Sequence, residues 1–329
     1  MDIKNVLVTG ASGFIGRHVS ALLALAGYVV RGTGRQLAPA GDITGLKDWV
    51  PVRTVDVDTN WNDALEGMNA VVHLAGRAHV MRDRAADPMA EYRRVNVGGA
   101  ESLARQAAQR GVKRIVFMSS IKVHGEHTGR LPDGTWRRFS ETDAPQPVDA
   151  YAASKWEAEQ VLRRVSHETG MAVAVLRPPL VYGPGVGANF LRLMRMIDLG
   201  WPLPFAHIRN LRSLIYVGNL ADAVRACLEN NSAAGRTYLV RDMDVSTPDL
   251  IRAVAAALNR PPRLYGVPPM LLHFGAYLLL RPRLMRRLMG SLVADDALIR
   301  NELSWSPPVP APEALARTAS WFRQLPWTR

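Results

Sequence analysis

Residues 5–16 read Asn-Val-Leu-Val-Thr-Gly-Ala-Ser-Gly-Phe-Ile-Gly and predict a β-strand, a tight glycine turn and the start of an α-helix. The run Asn5–Thr9 is apolar and rich in valine, and a helical pattern continues through residues 17–26. In this context Gly10 permits the turn, Gly13 lets backbone approach a pyrophosphate, and Gly16 lets the helix sit close to the strand. The spacing is one residue longer than the usual G-x-G-x-x-G. The strand, turn and helix together predict a dinucleotide-binding site.

Further apolar runs alternate with helical patterns and predict one parallel sheet. The predicted strands are residues 28–33, 52–57, 70–74, 114–118 and 172–177. Alternating strands and helices predict an α/β fold with a parallel sheet. Because crossovers between parallel strands are right-handed, the expected form is a Rossmann-type doubly wound sheet. A smaller, mostly helical C-terminal substrate subdomain is expected to complete the chain. The predicted division is 1–177 for the NAD(P)-binding domain, with 211–240 returning to its sheet, and 178–210 plus 241–329 for the substrate subdomain.

The end of the second predicted strand bears on the choice of cofactor. NAD enzymes place an Asp or Glu there for the ribose hydroxyls, whereas this chain has Gly34 and then Arg35. A guanidinium can bind a 2′-phosphate with two hydrogen bonds, so NADP is favoured and NAD is the alternative. The alternative is that Arg35 only stacks on adenine or faces solvent.

Other strand ends also supply cofactor candidates. Asp56 follows a predicted strand and suits the adenine amino group, although a carboxylate that caps a turn explains it nearly as well. The small residues Ala75 and Gly76 leave room for a cofactor at the carboxyl edge of the sheet. Asn96, a polar residue among apolar neighbours of a helix predicted over residues 91–109, is interpreted as a brace for backbone near the site.

Two segments predict acid–base chemistry. Tyr151 and Lys155 stand four residues apart in a helical segment, residues 151–165, and therefore share one face. A nearby ammonium lowers the pKa of a phenol, which suits proton transfer to or from a hydroxyl or carbonyl. Ser119 and Ser120 close an apolar strand, and Ser120 is placed to hydrogen-bond the reacting oxygen. The Tyr and Lys spacing alone is also common on solvated helix faces.

The composition limits the classes of function. The chain has 329 residues, a formal net charge of +12 and one cysteine, Cys227, which favours a reducing cytoplasm and excludes a disulfide framework. The arginines are scattered and lack interleaved aromatic motifs, so nucleic-acid binding is not predicted. The sequence has no secretion-signal pattern, no transmembrane run and no metal-ligand spacing. Residues 270–290 combine apolar and basic side chains; a packed helix pair with a solvated basic edge is the favoured interpretation, and contact with an anionic membrane surface is the alternative.

The motifs resemble the extended short-chain dehydrogenase/reductase superfamily, and within it the nucleotide-sugar epimerase, dehydratase and reductase family. The resemblance covers nearly the whole chain. It rests on Gly10-x-x-Gly13-x-x-Gly16, His73-Leu74-Ala75-Gly76, Ser119-Ser120, Tyr151-x-x-x-Lys155, Arg177-Pro178-Pro179-Leu180-Val181-Tyr182-Gly183-Pro184 and Tyr216-Val217-Gly218-Asn219-Leu220-Ala221-Asp222-Ala223.

The resemblance implies an enzyme that transfers hydride at a sugar carbon, usually C4, with a UDP-sugar substrate and a homodimer as the common assembly. It implies catalytic roles for Ser120, Tyr151 and Lys155. The predicted cofactor site comprises Gly10, Gly13, Phe14, Ile15, Gly16, Arg35, Asp56, Val57, Leu74, Ala75, Gly76, Asn96, Ser119, Tyr151, Lys155 and Pro178. The predicted substrate site comprises His79, Ser120, Lys122, Tyr151, Asn189 and Arg212. For Arg212, which matches the family's arginine on the diphosphate, a surface position is the alternative.

Departures from the family pattern narrow the reaction. Dehydratases carry Asp and Glu where this chain has Ile121 and Lys122, so dehydration is not expected. Leu180 replaces an Asn of well-studied UDP-galactose 4-epimerases. Residues 119–126 resemble enzymes of bacterial surface-polysaccharide synthesis. The favoured expectation is NADPH-dependent reduction of a UDP-4-keto-6-deoxy-N-acetylhexosamine; the alternatives are a UDP-N-acetylhexosamine or UDP-hexose 4-epimerase with tightly bound NAD, and a non-catalytic dinucleotide-binding protein.

Overall fold

The computed structural model describes residues 3–37, 43–78, 86–268, 270–271 and 289–326. Its strands are β1 (Asn5–Thr9), β2 (Val29–Gly34), β3 (Leu46–Pro51), β4 (Ala70–His73), β5 (Arg114–Met118), β6 (Ala172–Arg177), β7 (Leu180–Tyr182), β8 (Arg212–Tyr216), β9 (Thr237–Leu239) and β10 (Met243–Val245). Its α-helices are α1 (Phe14–Leu25), α2 (Asn62–Leu65), α3 (Pro88–Tyr92), α4 (Gly99–Gln109), α5 (Ala150–Thr169), α6 (Ala188–Asp198), α7 (Val217–Glu229), α8 (Thr247–Ala257), α9 (Ala297–Leu303) and α10 (Ala311–Phe322). Arg93–Gly98 form a π-helix, and Ile121–His124 and Asn231–Ala233 form 3₁₀-helices.

Seven parallel strands form the main sheet in the order β3-β2-β1-β4-β5-β6-β9. The order reverses between β1 and β4, and ligands of such sheets bind outside the carboxyl ends of the strands at this reversal. Residues of β1, β4 and β5 are buried on both faces, as parallel strands covered by helices require. The predicted doubly wound α/β fold is therefore confirmed.

Helices cover both faces of this sheet. On one face α1 packs against α7, and their apolar residues share a core with alternate residues of β1 and β4. On the other face α4 packs against α5, and the core includes Trp61 and Phe117. Each face is thus closed by a helix pair.

A second, smaller sheet has the order β10-β8-β7 and packs with α6, α8 and α10 around a separate apolar core. The sequence placed residues 211–217 in the main sheet, and this was wrong, because β8 pairs with β7 and β10. Of the returning segment, β9 joins the edge of the main sheet beside β6, and α7 packs on α1. The chain leaves the main sheet after β6 because Pro178 and Pro179 cannot continue the strand.

Two other elements differ from the sequence expectation. The third strand is Leu46–Pro51 and not residues 52–57, of which 52–55 have no regular secondary structure and 56–57 begin a turn. β3 is the edge strand of the sheet, where Pro51 costs no interior hydrogen bond. The helix expected over residues 91–109 is interrupted by the π-helix Arg93–Gly98, which adds a residue to one turn.

Among the described helices, none has both the length and the hydropathy needed to cross a bilayer. The described residues also contain no group of three or more His, Cys, Asp or Glu side chains arranged to hold a metal ion. Residues 272–288, which carry most of the segment considered for membrane contact, lie outside the described residues.

The side chain of Arg114, at the start of β5, is fully buried and closes the C-terminal end of α7. Its Nη1 donates to the carbonyls of Cys227, Leu228 and Asn230 at 2.8–2.9 Å. A cation there satisfies helix-end carbonyls and opposes the negative end of the helix dipole.

We expect Arg114→Leu to lower the free energy of unfolding by about 3 kcal/mol, because it leaves buried carbonyls without donors. Urea unfolding measures the effect. Arg110→Leu is the control, since Arg110 is exposed and its Nη2 reaches Asn62 at 2.9 Å on the surface. Equal stability of the two variants would contradict the capping role of Arg114.

Candidate active site

The glycine turn lies where the strand order reverses. Gly10 has a φ of +68°, which favours glycine, and a Cβ there would lie 3.0 Å from the backbone nitrogen of Ala75. The turns after β1 and β4 are therefore in contact. A Cβ at Gly16 would lie 2.2 Å from the carbonyl oxygen of Gly10, whereas a Cβ at Gly13 meets only that oxygen, at 3.2 Å. The turn therefore requires glycine at positions 10 and 16, where a Cβ would collide with backbone. The space beside Gly13, at the N-terminus of α1, is where a pyrophosphate fits.

The first turn of α1 also contacts the segment that follows β7 of the second sheet. The Phe14 ring lies against Gly185, where a Cβ would come within 3.4 Å of it, and packs with the core of the second sheet. His18 Nε2 donates to the carbonyl of Pro184 at 2.8 Å. Phe14 and Ile15 thus belong to the packing between the glycine turn and the segment after β7.

Thr9 and His73 fix the ends of β1 and β4 relative to each other. The Thr9 hydroxyl accepts from the backbone nitrogens of Leu74 and Ala75 and donates to His73 Nδ1 at 2.8 Å. Burial and the charge of Lys155 lower the pKa of His73 to about 3, so the imidazole is neutral. His73 is a buried core residue, 1% exposed.

Asn96 braces the loop after β4, as predicted. It is 2% exposed and lies in the π-helix. Its Oδ1 accepts from the backbone nitrogen of Arg77 at 2.7 Å, and its Nδ2 donates to the Arg77 carbonyl and to Ser154 Oγ. A Cβ at Gly76 would lie 2.9 Å from Asn96 Oδ1 and 3.5 Å from Lys155 Nζ. The loop after β4, the π-helix and α5 therefore meet at this point.

Ser120, Tyr151 and Lys155 converge at the carboxyl end of β5. Ser120 hydrogen-bonds the Tyr151 hydroxyl and also caps the 3₁₀-helix that follows it. The Tyr92 ring packs edge-on against Tyr151, with 6.2 Å between centroids. Lys155 is buried, and its Nζ donates to the Met118 carbonyl at 2.8 Å. The predicted catalytic residues are thus close together, next to Ser119 and the loop after β4.

The electrostatics of Tyr151 differ from the expectation. Burial raises the pKa of the phenol to about 12, and the hydrogen bond with Ser120 opposes this rise. Burial lowers the pKa of Lys155 to about 8, while the charge of Glu159 raises it. The lowering of the Tyr151 pKa by Lys155 is not seen, because burial dominates and the ammonium is directed at the Met118 carbonyl.

Lys122 forms ion pairs with two carboxylates of the protein itself. Its Nζ lies 2.7 Å from Asp149 Oδ2 and 3.2 Å from Glu126 Oε1. Asp149 is the N-cap of α5, and its other oxygen accepts from the backbone nitrogen of Ala152. Lys122 therefore ties the 3₁₀-helix after Ser120 to the first turn of the helix that carries Tyr151.

The adenine end of the predicted cofactor site is formed by the ends of β2 and β3. Arg35 is exposed directly after β2. Asp56 caps a turn, since its Oδ1 accepts from Asp58 and Thr59 while its Oδ2 pairs with Arg94 at 2.8 Å. Asp56 therefore caps a turn, which was the alternative interpretation of this residue. Val57 beside it is 64% exposed.

The remaining predicted substrate residues are more dispersed. Asn189 is exposed in the first turn of α6. Arg212 begins β8, and its Nη1 donates to the Gly290 carbonyl at 3.0 Å. Pro178 follows β6, and its carbonyl accepts from the backbone nitrogen of Ile121 at 3.0 Å. His79 lies outside the described residues.

Sequence reasoning missed Glu159 and Arg177 as members of this site. Both are buried and paired, and Glu159 also binds Ser119. The signal was present, because Tyr151, Lys155 and Glu159 recur at four-residue intervals on one face of α5.

Comparison with known proteins identifies the family of the chain. The profile of the NAD dependent epimerase/dehydratase family matches residues 6–240. The chain is 39% identical to a UDP-glucose 4-epimerase of Vibrio cholerae over 324 residues, 98% of this chain and 96% of the relative. It is 30% identical over 260 residues to an N-acetyl-alpha-D-glucosaminyl-diphospho-ditrans,octacis-undecaprenol 4-epimerase of Escherichia coli O157:H7, with 78% of this chain and 73% of the relative covered. The solved UDP-glucose 4-epimerase of Thermus thermophilus in complex with NAD superposes with a TM-score of 0.73 at 26% identity, over 97% of this chain and 99% of that one.

Proposed function

The chain belongs to the NAD-dependent epimerase/dehydratase family, and we propose that it is a UDP-sugar 4-epimerase that keeps NAD bound between turnovers. The observation that carries the proposal is the meeting of Ser120, Tyr151 and Lys155 beside the glycine turn. The relative that is 39% identical over 98% of the chain is a 4-epimerase, and so is a second relative that is 30% identical over 78% of it, which supports epimerisation. Dihydroflavonol 4-reductases at 30% identity cover 75–80% of the chain.

Dehydration lacks the groups it needs. A dehydratase requires an acid and a base directly after the position of Ser120. Here Ile121 is apolar and buried, and Lys122 is held by Asp149 and Glu126. Neither side chain is available to remove a proton from the sugar and expel water.

Several residues fit a bound dinucleotide. The backbone at Gly13 and the N-terminus of α1 would hold the pyrophosphate, and exposed Val57 would pack on the adenine. Lys155, beside Gly76, would hold the nicotinamide ribose. A bound NAD would supply reversible hydride transfer at C4, in which the hydride leaves one face of the sugar and returns to the opposite face.

Tyr151 and Ser120 perform the proton transfer in this proposal. Tyr151 takes the proton of the C4 hydroxyl as the alcohol becomes a ketone, and gives it back to the oxygen when the alcohol is re-formed. Ser120 donates a hydrogen bond to the same oxygen and orients it. Burial raises the pKa of Tyr151 to about 12, so the phenolate needs stabilisation, and the hydrogen bond with Ser120 supplies part of it.

A 4-ketoreductase that uses NADPH is the second candidate. It is favoured by Gly34 and exposed Arg35 at the end of β2, where a carboxylate would disfavour a 2′-phosphate. The substrate would be a UDP-4-keto-6-deoxy-N-acetylhexosamine. This candidate predicts a cofactor that is consumed and released.

The cofactor that accompanies the purified protein separates the two candidates. For the epimerase we expect stoichiometric NAD to be released by acid denaturation and identified by mass spectrometry. We also expect interconversion of UDP-glucose with UDP-galactose, or of the two UDP-N-acetylhexosamines, without added cofactor. A protein that is purified without cofactor, and that oxidises added NADPH with the keto-sugar, is the reductase instead.

A further inference from the structure

A buried charge network lies behind the candidate active site. Glu159 is 0% exposed, and both of its oxygens accept from Arg177, which is 2% exposed. Ser119 Oγ donates to the same carboxylate. Arg163 Nη2 approaches it from solvent at 3.9 Å. Glu159 is therefore a carboxylate with partners on both oxygens, one turn of α5 beyond Lys155.

Arg177 extends the network to the 3₁₀-helix after Ser120. Its Nη1 donates to His124 Nε2 at 2.8 Å, and the Trp156 ring lies 5.6 Å from its guanidinium carbon. Burial and the charge of Arg177 lower the pKa of His124 to about 4, so the imidazole is neutral and able to accept. His124 is stacked on Phe139, with 5.3 Å between centroids.

The network joins the elements that carry the catalytic residues. Ser119 precedes Ser120 at the end of β5, and its backbone nitrogen donates to Leu176 of β6 at 2.8 Å. Glu159 belongs to the helix of Tyr151 and Lys155, and Arg177 is the last residue of β6. A shift of any one element would break at least one buried, charge-assisted hydrogen bond.

Stability alone does not account for this pair. A buried ion pair carries a desolvation cost for both charges, and well-packed apolar residues of similar volume are often equally stabilising. A pair kept in that position is better explained by what it holds and by the field it creates at Lys155.

We propose that Glu159 is a positioning residue: clamped by Arg177 and Ser119, it holds the Lys155 turn of α5 against the end of β5 and places a negative charge behind the ammonium. The inference rests on the proposed function for its effect on catalysis, and on the geometry alone for its effect on Lys155. It assigns to Arg177 the role of fixing Glu159.

The groups around Lys155 set the sign of the effect. Glu159 acts on it from the same helix, α5, and His73 faces it from β4, while Tyr151 precedes it by one turn of α5. Burial lowers the pKa of Lys155 to about 8, and Glu159 raises it. Removing the charge of Glu159 therefore moves deprotonation of Lys155 to lower pH, and the enzyme loses the ammonium on the alkaline side first.

Lysine-selective labelling tests this directly, because the chain has only five lysines: Lys4, Lys47, Lys113, Lys122 and Lys155. The Lys155 signal is assigned by its loss in Lys155→Arg, and its pKa is followed by NMR in wild type and in Glu159→Gln. Glu159→Gln leaves Arg177 buried without its partner, so Glu159→Gln/Arg177→Met, which removes both charges, is made in parallel. Glu157→Gln is the matched control, since Glu157 lies on the same helix and pairs with Arg93 on the surface.

We expect the pKa of Lys155 to fall in Glu159→Gln and in the double variant, and to stay unchanged in Glu157→Gln. We expect kcat of Glu159→Gln to fall about tenfold at about pH 8.5 and to recover at about pH 6.5, with KM changed less than about twofold.

An unchanged Lys155 pKa in both Glu159 variants overturns the inference, as does a loss of kcat that is equal at every pH, which marks a purely structural role. Failure of the proposed function gives a different result. In that case wild type shows no sugar conversion, while the titration of Lys155 still responds to Glu159.

Discussion

Tyr151→Phe is expected to lower kcat by about 10³-fold while the protein remains folded and binds NAD, because the hydroxyl is the group that exchanges the substrate proton. The substitution removes one oxygen atom. The ring keeps its edge-on contact with Tyr92, so the packing at the N-terminus of α5 is preserved. Steady-state kinetics and the NAD content of the purified variant measure the two effects separately.

Tyr28→Phe provides the control for this experiment. Tyr28 immediately precedes β2, at the opposite edge of the sheet, and its hydroxyl donates to Glu229 at 3.2 Å. The same chemical change there is expected to leave kcat unaltered. A Tyr151→Phe variant that retained kcat within about tenfold of wild type would contradict the acid–base role, given the size of such contributions.

Gly16→Ala is expected to abolish stable cofactor binding and to lower the stability of the fold. The added Cβ would lie 2.2 Å from the Gly10 carbonyl oxygen and 2.7 Å from Ala11 Cα, and both are backbone atoms that no rotamer change can move. Relief requires α1 to shift away from β1, which costs at least about 3 kcal/mol for a contact of this severity. Because the pyrophosphate position lies at the start of that helix, the affinity for NAD falls with it.

Gly129→Ala is the matched control, since a Cβ at Gly129 meets nothing within 4 Å. Thermal unfolding and titration with NAD report the two effects. Normal NAD affinity in Gly16→Ala would show that the glycine turn does not hold the pyrophosphate.

The glycine turn and the buried strands could be predicted from the sequence because their signals are local. β1, β5 and β6 have the predicted boundaries, since each is a continuous apolar run buried on both faces. The third strand was displaced because β3 is an edge strand, where the pattern Leu46–Pro51 mixes charged and apolar residues. Residues 52–57 have the stronger β pattern, but residues 52–55 have no regular secondary structure and Asp56 begins a turn that its side chain caps.

The pairing of strands that are distant in the chain could not be predicted from the sequence. β8 resembles any short apolar strand, and only the partner strands β7 and β10 decide which sheet it joins. The same holds for the site. The four-residue spacing predicted that Tyr151 and Lys155 share a helix face, but the direction of Lys155 towards the Met118 carbonyl depends on tertiary packing. The partnership of Glu159 with Arg177 joins residues from a helix and from the strand that follows it.

The contact between α1 and the loop after β7 couples the position of the glycine turn to that of the second sheet. The Phe14 ring and the hydrogen bond from His18 to Pro184 bind the nucleotide end of the crevice to the part of the chain that begins with the second sheet. A movement of the second sheet away from α1 would break these two contacts and displace the glycine turn. The loop after β7 and the glycine turn are therefore expected to move together.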